Sequence, residues 1–464
     1  MSNVMQKVQK PNILFVFSDQ HRWCDLGCYG NMQVISPNLD MFAKKAVCFE
    51  NCISNSPVCV PARGSLLTGL LPMRHKAITN DLPIDTGVES IAHVLSENGY
   101  HTGYIGKWHL AGVPRDRYIP GGKERLGFSE WKVCNCNHSY LNAYYYEESN
   151  KRIEIDGYEP IEQTNMAIDF INRNRDKSWA LVLSWSPPHD PYGEVPQKYL
   201  DMYQSEQIQL RGNVPDRIIS TLKRTFSKSD MIENYKGYYA HITALDEQFG
   251  RLIHALEHGG QIDNTLVVYT SDHGDMLGSQ GYTNKQLPYE ESVKVPLLVY
   301  LKGKTTSMKS DEMIGLVDLP VSLLGLLGMK FSGNVDGKDL HRLFLDRDAK
   351  GLDECYLFDL VPCHQAADRG GSEWRGIRTS KYTFARTGKD DGFVLFDNEN
   401  DILQQRNLIN QSDYTIVKNG LLEVLNGYIE KYDKFFPWEQ LIREYGFLEE
   451  WNRSQDYFKL PLLD

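Results

Sequence analysis

Two short apolar runs, each ending in an acidic residue, limit what this chain can fold into more than any other feature. Asn12-Ile13-Leu14-Phe15-Val16-Phe17-Ser18 leads straight into Asp19-Gln20-His21, and Thr265-Leu266-Val267-Val268-Tyr269-Thr270-Ser271 leads into Asp272-His273-Gly274-Asp275. Both runs are rich in strand formers. Each reads as a strand that delivers oxygen ligands at its C-terminal end, the place where open α/β sheets bind their ligands. Carboxylate and amide oxygens there suit a hard divalent cation, Ca²⁺ or Mg²⁺, better than a thiolate-rich zinc site would. One carboxylate after a strand is usually a loop residue or a helix cap, so the weight falls on the pair and on what lies between.

Between and around these runs, helical and strand patterns alternate through the first three-quarters of the chain. Residues 39–46, 90–98 and 163–172 read as helices, and 101–106 and 179–185 as strands. The fold expected is α/β, a large mixed β-sheet flanked by helices. The longest helical pattern begins near Asp230, with Ser229 or Asp230 as its cap. Ile242, Leu245, Phe249, Leu252, Ile253 and Leu256 form its apolar stripe, and Gly259-Gly260 stops it. That stripe is core packing, and it positions Asp272 and His273 by delivering the chain to the second run. After about residue 345, strand-like runs at 373–379, 382–386 and 393–396 precede a helical stretch at 414–432. The expected organisation is a catalytic domain over 1–345 and a smaller C-terminal α+β subdomain over 346–464.

Cys59-Val60-Pro61-Ala62-Arg63-Gly64 places a cysteine at a helix start. Pro61 supplies the preset φ of a first turn, so Cys59 lies where unpaired N–H groups and the positive helix end converge. A cysteine alone is more often a small buried apolar residue than a catalyst. The whole pattern is narrower. Cys-x-Pro-x-Arg-Gly, continued by Leu67-Thr68-Gly69, resembles the signature of the type I, formylglycine-dependent sulfatases of the alkaline phosphatase-like superfamily. Residues 11–30, Gly106-Lys107-Trp108-His109, Pro187-Pro188-His189-Asp190-Pro191-Tyr192 and Asp272-His273-Gly274 follow the order that family uses, with Lys285 and Tyr289-Glu290 beyond them.

The resemblance implies a sulfuric ester hydrolase in which a maturase oxidises Cys59 to formylglycine. The hydrated aldehyde attacks sulfur, releases the alcohol, and then expels sulfate. It further implies that Asp19, Gln20, Asp272 and His273 join the modified Cys59 around one divalent cation, Ca²⁺ foremost, with Mg²⁺ or Mn²⁺ as alternatives. Lys107 and Arg63 would hold the formylglycine oxygens, and His109 would act as the base in the second step. His189 and Lys285 would lie toward the leaving oxygen and the sulfate. Many sulfatases carry Asp-Asp where this chain has Asp19-Gln20, and Asn or Gln where it has His273. The same pairing resembles phosphonate monoester hydrolases and many bacterial carbohydrate sulfatases. Two alternatives stand beside a carbohydrate sulfatase: a formylglycine-dependent phosphonate monoester hydrolase or phosphodiesterase, and a non-catalytic binder of sulfated glycans with Cys59 unconverted.

The chain has 464 residues, 41% hydrophobic and 24% charged, enough for a large core. Its formal net charge of −11 argues against a nucleic-acid partner or an anionic membrane surface. A sulfated substrate must then be captured by a local cationic pocket, which Arg63, Lys107, Lys285 and the metal could form. The polar first ten residues and the lack of a long apolar stretch lead to the expectation of a cytoplasmic protein. Nine cysteines, an odd number, hint at reduced thiols, and neither Cys134-Asn135-Cys136 nor the Cys24/Cys28 pair has the repeated spacing of a zinc site. None of the motifs addresses the alcohol of the substrate. Specificity is sought in Asn80-Asp81, the aromatic loop from His138 to Tyr146, Tyr192, and His364, Trp374, Arg375 and Arg378, with a sugar sulfate as the expected substrate.

Overall fold

In the computed structural model, which describes residues 10–219, 225–363, 370–388, 392–434 and 437–460, both apolar runs are neighbouring strands at the centre of one sheet. Its strands are β1 (Asn12–Asp19), β2 (Val47–Ile53), β3 (His101–Lys107), β4 (Glu130–Cys134), β5 (Trp179–Pro188), β6 (Thr265–Ser271), β7 (Lys294–Tyr300) and β8 (Met308–Gly315). Their order is β8-β2-β7-β6-β1-β5-β3-β4. β1 pairs in parallel with β6 and with β5, β5 with β3, and β3 with β4, whereas β7 runs antiparallel to both β6 and β2. The sheet is mixed, as expected.

The principal helices are α1 (Pro37–Ala43), α2 (Cys59–Thr68), α3 (Ile91–Glu97), α4 (Glu159–Arg173), α5 (Gln197–Gln204), α6 (Lys228–His258), α7 (Leu319–Leu326), α8 (Thr415–Tyr432), α9 (Trp438–Glu444) and α10 (Leu448–Phe458). Successive residues of β1 face opposite ways. Ile13, Phe15 and Phe17 join the core under α2, α3 and α7, while Leu14 and Val16 join the core under α1, α4 and α6. A strand covered on both faces has no need of polar alternation, which is why these runs are continuously apolar. Among the described residues, no helix is long and apolar enough to cross a membrane.

Two glycines of the motifs are required by close approach. At Gly106, with φ +108°, a Cβ would lie 2.0 Å from the Ser184 carbonyl oxygen, so only glycine lets β3 lie this close to β5 ahead of Lys107. At Gly64 a Cβ would lie 2.4 Å from the His75 ring. The long helix begins earlier than its sequence signal. Its cap is Ser227, whose hydroxyl accepts from Asp230 N–H while the Asp230 carboxylate accepts from Ser227 N–H. Asp230 is thus the reciprocal member of a capping box, and Ser229 is not the cap.

Beyond the large sheet, β9 (Glu354–Asp359), β10 (Trp374–Thr379), β11 (Tyr382–Thr387) and β12 (Val394–Asp397) form an antiparallel sheet in sequential order. Phe358, Ile377, Phe384 and Leu395 pack against Leu421, Leu425, Leu441 and Ile442 of α8 and α9, together with Leu71, Ile78 and Val317 from the first part of the chain. Ile53 of β2 and Met313 of β8 pack with Leu357, Trp374 and Phe396, so the small sheet shares a core with one side of the large one.

Candidate active site

The C-terminal ends of four parallel strands and the start of α2 meet at one corner. β1 ends at Asp19, β3 at Lys107 with His109 just beyond, β5 runs to Pro188 ahead of His189, and β6 leads into Asp272 and His273. Cys59 is the first residue of α2. The helix has no cap from its own side chains. Instead Asn80 Oδ1 accepts from Val60 N–H at 3.1 Å, so Asn80 secures the helix start rather than facing a substrate.

Ligand atoms of Asp19, Cys59, Asp272 and His273 all lie within 4.8 Å of one another, and all four residues are buried. Cys59 Sγ is 3.2 Å from His273 Nε2 and 3.7 Å from Asp19 Oδ1. The outer carboxylate oxygens are held by cations. Asp19 Oδ2 accepts from Arg63 Nη2 at 2.9 Å and from Lys107 Nζ at 2.7 Å, and Asp272 Oδ2 accepts from Arg63 Nε at 3.0 Å. Arg63 Nη1 donates to Ser184 Oγ and to the Lys107 carbonyl, at 2.7 and 2.9 Å.

The inner atoms are aimed at each other. Asp19 Oδ1 and Asp272 Oδ1 lie 3.6 and 3.7 Å from His273 Nε2. His273 Nδ1 is 2.9 Å from the Gly274 carbonyl oxygen, which can only accept, so Nδ1 carries a proton and Nε2 is the ring nitrogen turned toward the carboxylates. Two convergent carboxylate oxygens and one correctly oriented imidazole nitrogen fit a divalent cation. Gln20 adjoins this group at φ +71°. Its Oε1 accepts from Lys285 Nζ at 2.5 Å, and its Nε2 donates to Asp275 Oδ2 at 2.7 Å.

The charges follow from this geometry. Burial and Cys59 would raise Asp19, but Lys107, His189 and Arg63 outweigh them and hold it well below the ordinary carboxylate range. Asp272 is raised, first by burial and then by Asp19. Burial alone would raise the Cys59 thiol, yet Lys285, Lys107 and His273 bring it well below its usual value. Position 59 therefore favours an anion. The expectation that Arg63 and Lys107 hold oxygens of a modified Cys59 takes a different form in the unmodified chain, where both are engaged by carboxylates.

His109 adopts φ +59° and is 1% exposed; its Nε2 lies 3.7 Å from Asp81 Oδ1, and neither ring nitrogen has a closer hydrogen-bond partner among the described residues. Burial opposes its charged form, but Cys136, followed by Asp81, outweighs it and pushes it up to about 10. A base at this position must give up that proton in each cycle. His189 Nε2 lies 2.6 Å from Lys285 Nζ, and its Nδ1 donates to the Asp190 carbonyl at 2.7 Å.

The sequence reading did not single out several residues that the fold brings here. Ser184 receives Arg63. Asp275 accepts from Gln20 and from the Tyr192 hydroxyl, at 2.7 and 2.5 Å. Asn284 donates to Asp190 Oδ1 at 2.8 Å. The Asp275 position, three residues past Asp272, was the one local signal. Among the specificity candidates, Asp81 is taken by Arg115 through two bonds of 2.8 and 2.9 Å. Trp374 Nε1 donates to the Gln286 carbonyl, Arg375 is buried against Asp433, and Arg378 is buried against Glu290. These three residues support the small sheet and do not face a substrate. His364 lies outside the described residues.

A family model described as sulfatase matches residues 11–329. The chain belongs to the sulfatase family of the alkaline phosphatase-like superfamily. It is a sulfuric ester hydrolase. A second family model, the C-terminal region of N-sulphoglucosamine sulphohydrolase, matches residues 278–431. This sulfatase is 35% identical over 447 residues to an ulvan-active sulfatase of Formosa agariphila, covering 95% of this chain and 85% of that one. It is 23% identical to an N-acetylglucosamine-6-O-sulfatase of Bacteroides thetaiotaomicron, covering 94% and 89%. The crystal structure of a putative sulfatase from Bacteroides fragilis superposes with a TM-score of 0.82 at 29% identity, over 92% of this chain and 97% of that one. The family carries a divalent cation and a formylglycine, and the cluster of Asp19, Cys59, Asp272 and His273 is a metal-binding group consistent with that.

Proposed function

We propose that this sulfatase removes sulfate from a carbohydrate sulfate ester, with Cys59 converted to formylglycine by a maturase and Ca²⁺ as the resident cation. One observation carries the reading: inner oxygens of Asp19 and Asp272 and Nε2 of His273 converge on Cys59 at a helix start that three buried cations surround. Sugar-sulfate activity among its relatives supports the substrate class. When bound, the cation supplies positive charge for the nucleophile and the sulfate oxygens, and formylglycine supplies the attacking hydroxyl.

The rest falls to the chain's own side chains. Asp19, Asp272, His273 and Gln20 would hold the cation. Arg63 fixes the two aspartates relative to each other, so neither turns when charge develops. Lys107 donates to the same Asp19 oxygen as Arg63, Oδ2, and leaves Oδ1 turned inward. Because His189 Nδ1 keeps its proton on the Asp190 carbonyl, its Nε2 accepts from Lys285, and the pair delivers a proton or positive charge to the departing sugar oxygen from the Lys285 side. His109 then takes the proton from the remaining hydroxyl as sulfate leaves.

The test has two arms. Mass spectrometry of the Cys59 peptide from the native host reads aldehyde or thiol, and the converted, Ca²⁺-loaded protein is assayed for inorganic sulfate from sugar sulfates and for cleavage of a phosphonate monoester. Aldehyde with sulfate release is the expected result. A plain thiol would favour the glycan binder, and faster cleavage of the phosphonate would overturn the sulfate preference.

A further inference from the structure

The hydrogen bonds of His189 restrain one motion of its ring only weakly. Nδ1 donates to the Asp190 carbonyl at 2.7 Å, with Asp190 Oδ1 3.3 Å away, and Nε2 accepts from Lys285 at 2.6 Å. Hydrogen bonds through the ring nitrogens are directional within the ring plane and resist rotation about Cβ–Cγ, which carries those atoms out of it, less firmly than a covered ring face does. The face of the ring is covered by His138. The two rings are parallel to within 7° and their centroids are 4.5 Å apart, a close stacked contact.

This stack is built from two loops that are tied together. The Tyr140 hydroxyl lies 2.9 Å from the His189 carbonyl oxygen and 3.1 Å from that of Asp190. Glu194 accepts from Tyr140 N–H at 2.8 Å and from the Ser139 hydroxyl at 3.3 Å. Asn137 closes on Ser139 from the other side of His138, with its Nδ2 donating to the Ser139 carbonyl at 2.9 Å and its Oδ1 accepting from Ser139 N–H at 3.2 Å. His138 Nε2 is 3.7 Å from Cys136 Sγ. Burial pushes His138 down to about 4, so it meets His189 as a neutral ring.

We infer that His138 is a positioning residue for the leaving-group pair: its ring face limits rotation of the His189 ring about Cβ–Cγ and so keeps Nε2 in line with the Lys285 ammonium. The inference rests on the reading of His189 and Lys285 as the pair at the leaving oxygen. Proton delivery depends steeply on alignment, and that demand grows as the leaving group becomes more basic.

The experiment uses full-length, Ca²⁺-loaded protein with Cys59 converted, and a series of substituted phenyl sulfates from good to poor leaving groups. Wild type is compared with His138→Leu, which fills the space without a flat face, and His138→Phe, which restores one. The leucine variant should lose rate progressively along the series, by roughly ten- to a hundredfold at the poor end, giving a steeper dependence on the leaving group. The phenylalanine variant should stay close to wild type throughout. A leucine variant with wild-type dependence overturns the inference, as does a phenylalanine variant as impaired as leucine. Should the leucine variant not fold, His138→Asn takes its place against phenylalanine with the same expectations. The underlying reading fails separately, if His189→Ala itself shows wild-type dependence on the leaving group.

Discussion

In the C-terminal layer Arg378 gives Nε and Nη2 to the two oxygens of Glu290, at 3.2 and 3.0 Å, and Arg375 is buried against Asp433, whose other oxygen accepts from Lys434 N–H at 2.7 Å. At the strand-end corner Arg63 binds one oxygen of Asp19 and one of Asp272, and satisfies neither carboxylate completely with cations. The residue types and the burial are the same. The difference lies in the second oxygen. Where an arginine or the backbone takes both and no other ligand atom stands beside them, the pair is a strut. Where one arginine spans two aspartates, Asp19 Oδ1 faces Cys59 and His273, and Asp272 Oδ1, which also accepts from Gln20 and His273 N–H at 3.1 and 2.9 Å, lies 3.7 Å from His273 Nε2, so oxygens of both stand beside other ligand atoms. Glu159 is a third case, buried with Oε1 accepting from Ser186 and Gln163 at 3.2 and 2.8 Å and no cation bonded to it among the described residues. Burial pushes it up to about 7, so it holds a proton through the acidic range. A buried carboxylate alone therefore signals nothing; the ligand atoms gathered around its oxygens do.

This contrast can be broken in four places. Cys59→Ala removes the precursor of the nucleophile without opening a large void, so turnover should fall by about 10⁴-fold or more while the unfolding transition stays put. Wild-type-like turnover would end the formylglycine mechanism. Arg375→Met strands Asp433 in the core and should cost roughly 3–5 kcal/mol in denaturant unfolding, with turnover per folded molecule as in wild type. A selective loss of turnover on sugar sulfates would return Arg375 to the specificity candidates.

Asp272→Asn keeps the shape but removes the charge of an inner oxygen. On a nitrophenyl sulfate it should lose cation and about a hundredfold in rate, more than His189→Ala loses, because a good leaving group needs little protonation. Full metal content by elemental analysis together with full rate would show the site to be misassigned. The smallest effect belongs to Glu159. Its folded value, about 7, lies above its ordinary 4.5, so its stabilising contribution is complete below the unfolded value and is lost as pH rises through about 7. Glu159→Gln should reduce the fall of unfolding free energy between these pH values. It should not abolish it, since burial also pushes Asp246 and Asp318 up to about 6. An unchanged pH slope would mean that Glu159 is ionised in the folded chain.

The sequence determined the central strands, because a strand covered on both faces must be apolar throughout and its end is marked by the first ligand; the run from Thr265 to Ser271 matches β6 residue for residue. It determined the start of α2 at Cys59 and the ordered positions of Lys107, His109, His189 and Lys285. It did not reveal β2, whose Glu50 and Asn51 interrupt the apolar pattern, or β8, where Lys309, Asp311 and Glu312 do so at the sheet edge. Local periodicity reports only which face a residue turns toward the core. Which carboxylate oxygen Arg63 takes, which way the His273 ring is protonated, that Arg375 and Arg378 are struts, and that His138 lies on His189 all depend on atoms from distant parts of the chain. Only the tertiary structure decided these, because hydrogen bonds and ring stacking act over a few ångströms between residues that sequence separates by tens to hundreds of positions.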